Sequence, residues 1–168
     1  MNWPYLHLVT NHFPVILTIV GSAVALLAAL LRRHALWIYA VVTLTLAGLS
    51  VFPAYLIGKE AEELVEHEPG IASASVEEHE EASEVALFTL LAVGAVSAFA
   101  WRRATRGPGR DELPAWLRAL VIVAALAGSG TVTYAALMGG KVVHGNNTIT
   151  SPPSLMVAPP DTTAPARP

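Results

Sequence analysis

Four long apolar stretches, at residues 13–31, 35–57, 82–101 and 119–138, constrain the fold of this chain more than any other feature. Each has about the 20 residues that an α-helix needs to cross roughly 30 Å of hydrocarbon. The apolar residues run continuously, which excludes both the alternation of a membrane β-barrel and the polar faces of a water-soluble bundle. The sequence therefore predicts an all-α membrane protein built as a four-helix transmembrane bundle.

Basic residues predict how this bundle is oriented. Of the ten Lys and Arg residues, seven lie at one set of predicted helix ends: Arg32, Arg33, Arg102, Arg103, Arg106, Arg110 and Arg118. The positive-inside rule assigns that set of ends to the cytoplasm. We therefore expect both termini and the second loop on the outer, periplasmic side of a bacterial inner membrane, an N-out and C-out arrangement.

The second loop and the C-terminus differ in composition from the spans. Residues 58–84 contain ten Glu and one Lys, and we expect this acidic outer loop to be largely helical, continuing the second span and leading into the third. Residues 146–168 are Pro-rich with no core-forming pattern, so we expect an extended tail that a partner protein orders. The expected organisation is a bundle over 1–145 and a tail over 146–168.

Several functional classes are excluded or disfavoured. The chain has no cysteine, which excludes disulfides, thiolate metal sites and covalently attached c-type haem. Its basic residues lie at helix ends, so nothing supports nucleic-acid binding. No nucleophile–base pair, phosphate-binding loop or hydrolase motif is present, so we expect no independent catalytic activity.

Histidines are concentrated on the predicted outer face. The five outer histidines are His7, His12, His67, His79 and His144, whereas His34 lies on the cytoplasmic side. Imidazole binds haem iron, copper, zinc and non-haem iron, and the helix ends of an antiparallel bundle converge. We expect a haem or metal site here, formed first by His12 and His79, next by His67 and His144, and last by His7.

Two glutamates are weaker candidates for metal ligands. Glu63 lies one helical turn before His67, and Glu80 lies one turn before Glu84; such spacing can build a carboxylate–histidine metal site on helices. The competing interpretation is that the Glu-rich loop is a solvated surface. Likewise, any single histidine at a membrane interface can be an amphipathic side chain with no ligand.

Five segments resemble a family of bacterial four-span membrane proteins. Near the N-terminus the chain has LHLVTNHFP, similar to that family's LHxxxNHFP opening, and the remaining matches are to its PAYLTGxxAEE, VEHxPG, HEEA and GGxIRH motifs. These lie at residues 6–14, 53–63, 65–70, 78–82 and 139–144. The family is itself distantly similar to the DUF2231 membrane proteins. The resemblance implies the same topology and the same five histidines, although Val143 stands where the family usually has Arg.

The leading hypothesis for function is a small integral membrane subunit that binds b-type haem through its outer histidines. Such a subunit would pass electrons within a larger respiratory or photosynthetic complex, and its acidic outer loop would attract a basic soluble cytochrome. The expected partners are thus membrane lipid, other subunits and that cytochrome. The alternatives are a non-catalytic accessory subunit without a cofactor and a His/Glu site for Cu, Zn or Fe.

Overall fold

The computed structural model describes residues 2–65, 73–106 and 113–144, with the backbone alone at residues 65, 143 and 144. These ranges are helical and contain no strand. The short helix α1 precedes four long helices, α2 to α5. Their bounds are Trp3–Thr10, His12–Leu31, His34–Val65, Ser73–Arg106 and Ala115–His144.

Four helices in these ranges are long and apolar enough to cross a membrane, as expected of a multi-pass membrane protein. Each predicted span lies inside one of α2 to α5, because continuous apolar residues favour a helix that satisfies its own backbone hydrogen bonds. Pro53 predicts a kink or an unwound turn, yet α3 remains helical through it. The orientation stays a prediction, and the expectations for His67 and for the tail lie outside the described residues.

The four long helices form a ring in which each contacts two neighbours. α2 packs against α3 and α5, α4 packs against the same two helices, and α1 lies mainly on α3. The outward surface is strongly apolar: Leu30, Leu49 and Phe88 are 79%, 67% and 69% exposed. Such a surface suits contact with lipid, where apolar side chains need no burial inside the protein.

The backbones of α3 and α4 approach closely where the two helices cross at Gly48 and Gly94. A Cβ atom on Gly48 would lie 2.6 Å from the Cα of Gly94 and 2.8 Å from the carbonyl oxygen of Leu90. The two backbones are therefore in direct contact, as in membrane helix pairs joined through small residues. This crossing fixes the spacing of α3 and α4 on either side of it.

A polar contact joins α2 to α5 within the apolar part of the bundle. The Ser22 hydroxyl lies 3.0 Å from the carbonyl oxygen of Ala125 and 2.9 Å from the hydroxyl of Ser129. Ser22 is buried, so these partners replace the water that its hydroxyl would otherwise need. The contact holds α2 and α5 at a fixed rotation.

The two ends of the bundle differ in chemistry. The histidine end is defined by His7, Gly58, His79 and Gly139, where α3 and α4 extend beyond their apolar stretches and carry most of the acidic residues. The arginine end is defined by Arg32 and Arg33 after α2, by Arg102, Arg103 and Arg106 in α4, and by Arg118 in α5.

Candidate metal site

Two imidazole rings meet at the histidine end. His7 of α1 and His79 of α4 have ring centres 6.3 Å apart, with the ring planes at 67°. Both side chains are half-buried, although each flanks polar or acidic sequence. Because α1 lies on α3, it brings His7 across that helix to α4. The pair therefore depends on the tertiary packing of three helices.

Each imidazole rests against a glycine on a neighbouring helix. A Cβ atom on Gly58 of α3 would lie 2.9 Å from Cε1 of His7, and one on Gly139 of α5 would lie 3.0 Å from Cε1 of His79. Contacts this short are closer than carbon atoms normally approach. The missing side chains at Gly58 and Gly139 thus provide the space that the two rings occupy.

A backbone hydrogen bond fixes the His79 ring. Its Nδ1 atom lies 3.1 Å from the carbonyl oxygen of Ala135. A carbonyl oxygen only accepts, so Nδ1 carries the hydrogen, and Nε2 holds the lone pair in the neutral ring. Histidines that bind metals commonly donate their other ring N–H to a backbone carbonyl, which sets the tautomer and orients the ring.

The His7 ring lies beside the backbone carbonyl of Ala54 of α3. Within residues 2–65, 73–106 and 113–144, no partner meets full hydrogen-bond geometry at its buried Nδ1 atom. Both rings of the pair thus lie beside a backbone carbonyl of a neighbouring helix.

Polar contacts tie α4 to both neighbouring helices around the histidine pair. Lys59 of α3 donates to Glu80 and lies 3.6 Å from Glu62, and the hydroxyl of Tyr55 donates to Glu84 over 3.2 Å. On the other side, Lys141 of α5 lies 3.6 Å from Glu78. Both lysines of the chain are thus already paired with carboxylates.

His12, predicted as the first ligand together with His79, lies elsewhere on the surface. Its side chain is exposed, and its Nδ1 atom contacts the carbonyl oxygen of Leu8 in the preceding turn. Residues five apart on a helix differ by about 140° around its axis, so His7 and His12 face different directions. Within the described part of the chain, the His79 ring contacts the ring of His7.

The remaining candidates are placed as follows. His144 is the last residue of α5, where the backbone alone is described, and His67 lies outside the described residues. Glu63 is exposed and has an interaction partner, and Glu80 is engaged by Lys59. Among the described residues no three His, Asp or Glu side chains come together as a metal-binding group. Among the candidate residues that the structure describes, His7 and His79 are the two whose rings lie close together.

His7 was predicted as the last of the five histidine ligands, and no contribution was predicted for Gly58 or Gly139. A signal for both glycines was nevertheless present. Each lies at the end of an apolar stretch, on a helix that faces a histidine at the same membrane surface. Glycine inside a helix costs about 1 kcal/mol relative to alanine, which favours it where another group approaches, but Gly130 and Gly140 of α5 have no such neighbour, so the signal does not select Gly139.

Comparison with known proteins finds no matching family model, no similar curated protein and no similar solved structure. The resemblance to the four-span and DUF2231 membrane proteins accordingly stays a prediction based on the sequence motifs.

Proposed function

We propose that this chain is an integral membrane subunit that binds one redox-active transition-metal ion between His7 and His79 and serves electron transfer in a larger membrane complex. The observation that carries the proposal is the meeting of the two imidazoles at 6.3 Å. Imidazole is a ligand for copper and for iron, both of which change oxidation state under biological conditions.

The spacing of the rings suits a shared ion. Imidazole nitrogens bind such ions at about 2.0–2.1 Å, and each ring centre lies about 1 Å behind its nitrogen, so two opposed ligands have ring centres about 6 Å apart. The observed 6.3 Å is compatible with this value, and a shared ion requires in addition that one nitrogen of each ring face the other. Two protein ligands leave further coordination positions for water or for a side chain of a partner.

The surroundings also favour a cation. Glu78, Glu80 and Glu84 lie on α4 within five residues of His79, and their carboxylates give this end of the bundle a negative potential. The hydrogen bond from His79 to Ala135 holds one ring before any ion binds, which lowers the ordering cost of binding.

The arrangement fits a bare ion better than a haem. A porphyrin is much larger than a single ion, and the Lys59–Glu80 and Tyr55–Glu84 contacts already join α3 to α4 near the pair. The haem propionates would need cations, and Lys59 and Lys141 are already paired with glutamates. Haem b is therefore the competing ligand in the test below.

Metal analysis of the purified chain tests the proposal. The protein in detergent is loaded separately with copper, iron or zinc, desalted, and analysed for bound metal and for its oxidised and reduced optical spectra. We expect one copper or iron ion per chain. His79→Ala and His7→Ala should each weaken binding by at least about tenfold, because each removes one of two nitrogen ligands.

Two matched substitutions test whether the loss of any histidine, and not only of His7 or His79, weakens metal binding. His12→Ala removes an exposed histidine near the same end, and His34→Ala removes one from the opposite end; both should bind metal like the wild type. Reduced α and Soret bands in the purified protein would show that the bound group is haem and not a bare ion. If the protein binds neither a metal nor haem, the proposal is rejected and the accessory-subunit hypothesis is favoured.

A further inference from the structure

A groove at the arginine end combines positive charge with one aromatic side chain. It lies on α4 and is lined by Phe99, Arg102, Arg103 and Arg106. Residues at these spacings share one face of a helix. The groove is an open surface depression of about 180 Å³ between side chains of this one helix, so it offers a phosphate-sized group a surface site. This site is independent of the histidine pair.

The helix alone does not explain so much positive charge. Arg103 and Arg106 lie in the last turn of α4, where cations interact favourably with the helix dipole. However, like charges three or four residues apart repel each other, and Arg102 adds a third guanidinium to the same face. No carboxylate in the described ranges forms an ion pair with Arg102 or Arg106. Binding of an anion would relieve this repulsion.

The position of the groove along α4 indicates the kind of anion. The apolar stretch of α4 ends at about residue 101, so the arginines lie just beyond it and Phe99 lies within it. Phe99 is 53% exposed, which leaves an apolar surface beside the charged one. In a bilayer, this boundary is where lipid phosphates lie above their acyl chains. A soluble anion would gain no favourable contact from the apolar side chain of Phe99.

We propose that this groove binds the headgroup of an anionic phospholipid, with the phosphate on Arg102 and Arg106 and an acyl chain along Phe99. Guanidinium groups bind phosphate oxygens through paired hydrogen bonds, and basic pockets beside membrane helices bind anionic headgroups. The lipid completes the charge balance of the arginine end and fixes the depth of α4 in the bilayer.

Lipid titration of the delipidated full chain tests this site. Phosphatidylglycerol or phosphatidylcholine is added in detergent, and bound lipids are counted by native mass spectrometry. The double variant Arg102→Gln/Arg106→Gln should bind phosphatidylglycerol about tenfold more weakly, because two charges near the phosphate are lost. The control Arg32→Gln/Arg33→Gln removes the same charge from exposed positions at the same end and should change affinity by less than about twofold.

A second pair of variants tests the apolar part of the groove. Phe99→Ala should weaken phosphatidylglycerol binding, whereas Phe88→Ala, which alters an exposed phenylalanine outside the groove, should not. Three results would each overturn the proposal. The two double variants could lose the same affinity for phosphatidylglycerol, or phosphatidylcholine could bind as tightly as phosphatidylglycerol. Equimolar inorganic phosphate could also displace the lipid. Circular dichroism checks that the variants fold. If either double variant fails to fold, the single variants Arg106→Gln and Arg33→Gln are compared instead.

Discussion

The imidazole of His79 is positioned by one hydrogen bond and one glycine, and both come from α5. Ala135 fixes the tautomer, while Gly139, one turn further along, leaves room for the ring. His7 is positioned in the same way against Gly58 of α3. At the scale of residues, the site depends on the small size of its neighbours as much as on the ligands themselves.

A methyl group at Gly139 should therefore disturb the site without removing a ligand. In Gly139→Ala the new Cβ would lie 3.0 Å from Cε1 of His79, so the ring must move. We expect metal affinity to fall about tenfold, as when groups that orient a metal ligand are changed. Equilibrium dialysis against the loaded ion measures this.

The adjacent glycine supplies the control for that substitution. Gly140→Ala introduces the same methyl group where no atom lies within 4 Å, so its metal affinity should equal that of the wild type. Equal affinities for Gly139→Ala and Gly140→Ala would show that Gly139 does not position His79.

Which histidines meet could not be predicted from the sequence. Hydropathy is summed over about 20 residues, so it locates a span and the membrane side of a histidine. It does not fix rotation about the helix axis, because the helices here are apolar on most faces. His7 and His12 both precede the same span, and only the packing of α1 on α3 decides between them.

At the scale of helices, the crossing of α3 and α4 depends on Gly48 and Gly94. In Gly48→Ala the added carbon would lie 2.6 Å from Gly94 Cα, a backbone atom that cannot move by changing a rotamer. The helices must separate, and overpacking of this kind typically costs about 1–3 kcal/mol. We expect a lower midpoint in unfolding by denaturing detergent, followed by circular dichroism.

Gly130→Ala is the matched control for the crossing. It adds the same methyl group to a membrane helix at a position with nothing within 4 Å. Alanine favours helix over glycine by about 1 kcal/mol, so this variant should be as stable as the wild type or more stable. If Gly48→Ala also gained stability, α3 and α4 would not be in backbone contact.

Helix positions followed from the sequence more fully than helix contacts did. The apolar stretch at 119–138 predicted α5 because about 20 continuous apolar residues have few alternatives to a membrane helix. The crossing at Gly48 was not predicted, since a glycine in an apolar stretch does not reveal which partner approaches it. Of the two alternatives predicted at Pro53, the unwound turn is absent, because α3 stays helical despite one missing backbone donor.

For the whole molecule, the separation of charge between the two ends predicts its orientation. The arginine end should face the cytoplasm and the acidic histidine end should face outward. Because the chain has no cysteine, single cysteines report on each side without background. In intact cells an impermeant thiol reagent should label Gly70→Cys but not Gly107→Cys.

Both positions should react after the membrane is permeabilised, which controls for expression and accessibility. Labelling of position 107 alone in intact cells would show that the orientation is the opposite of the predicted one, with the histidine pair in the cytoplasm. A basic soluble electron carrier on the outer side would then have no access to it.

X-ray absorption spectroscopy of the metal-loaded protein tests most directly whether His7 and His79 share one ion. Imidazole rings produce a characteristic multiple-scattering pattern, and their number can be fitted with a metal–nitrogen distance of about 2.0 Å. The account predicts two imidazoles in the wild type and in His12→Ala, and one in His7→Ala or His79→Ala. An imidazole count that is the same in the wild type and in both of those variants would contradict it.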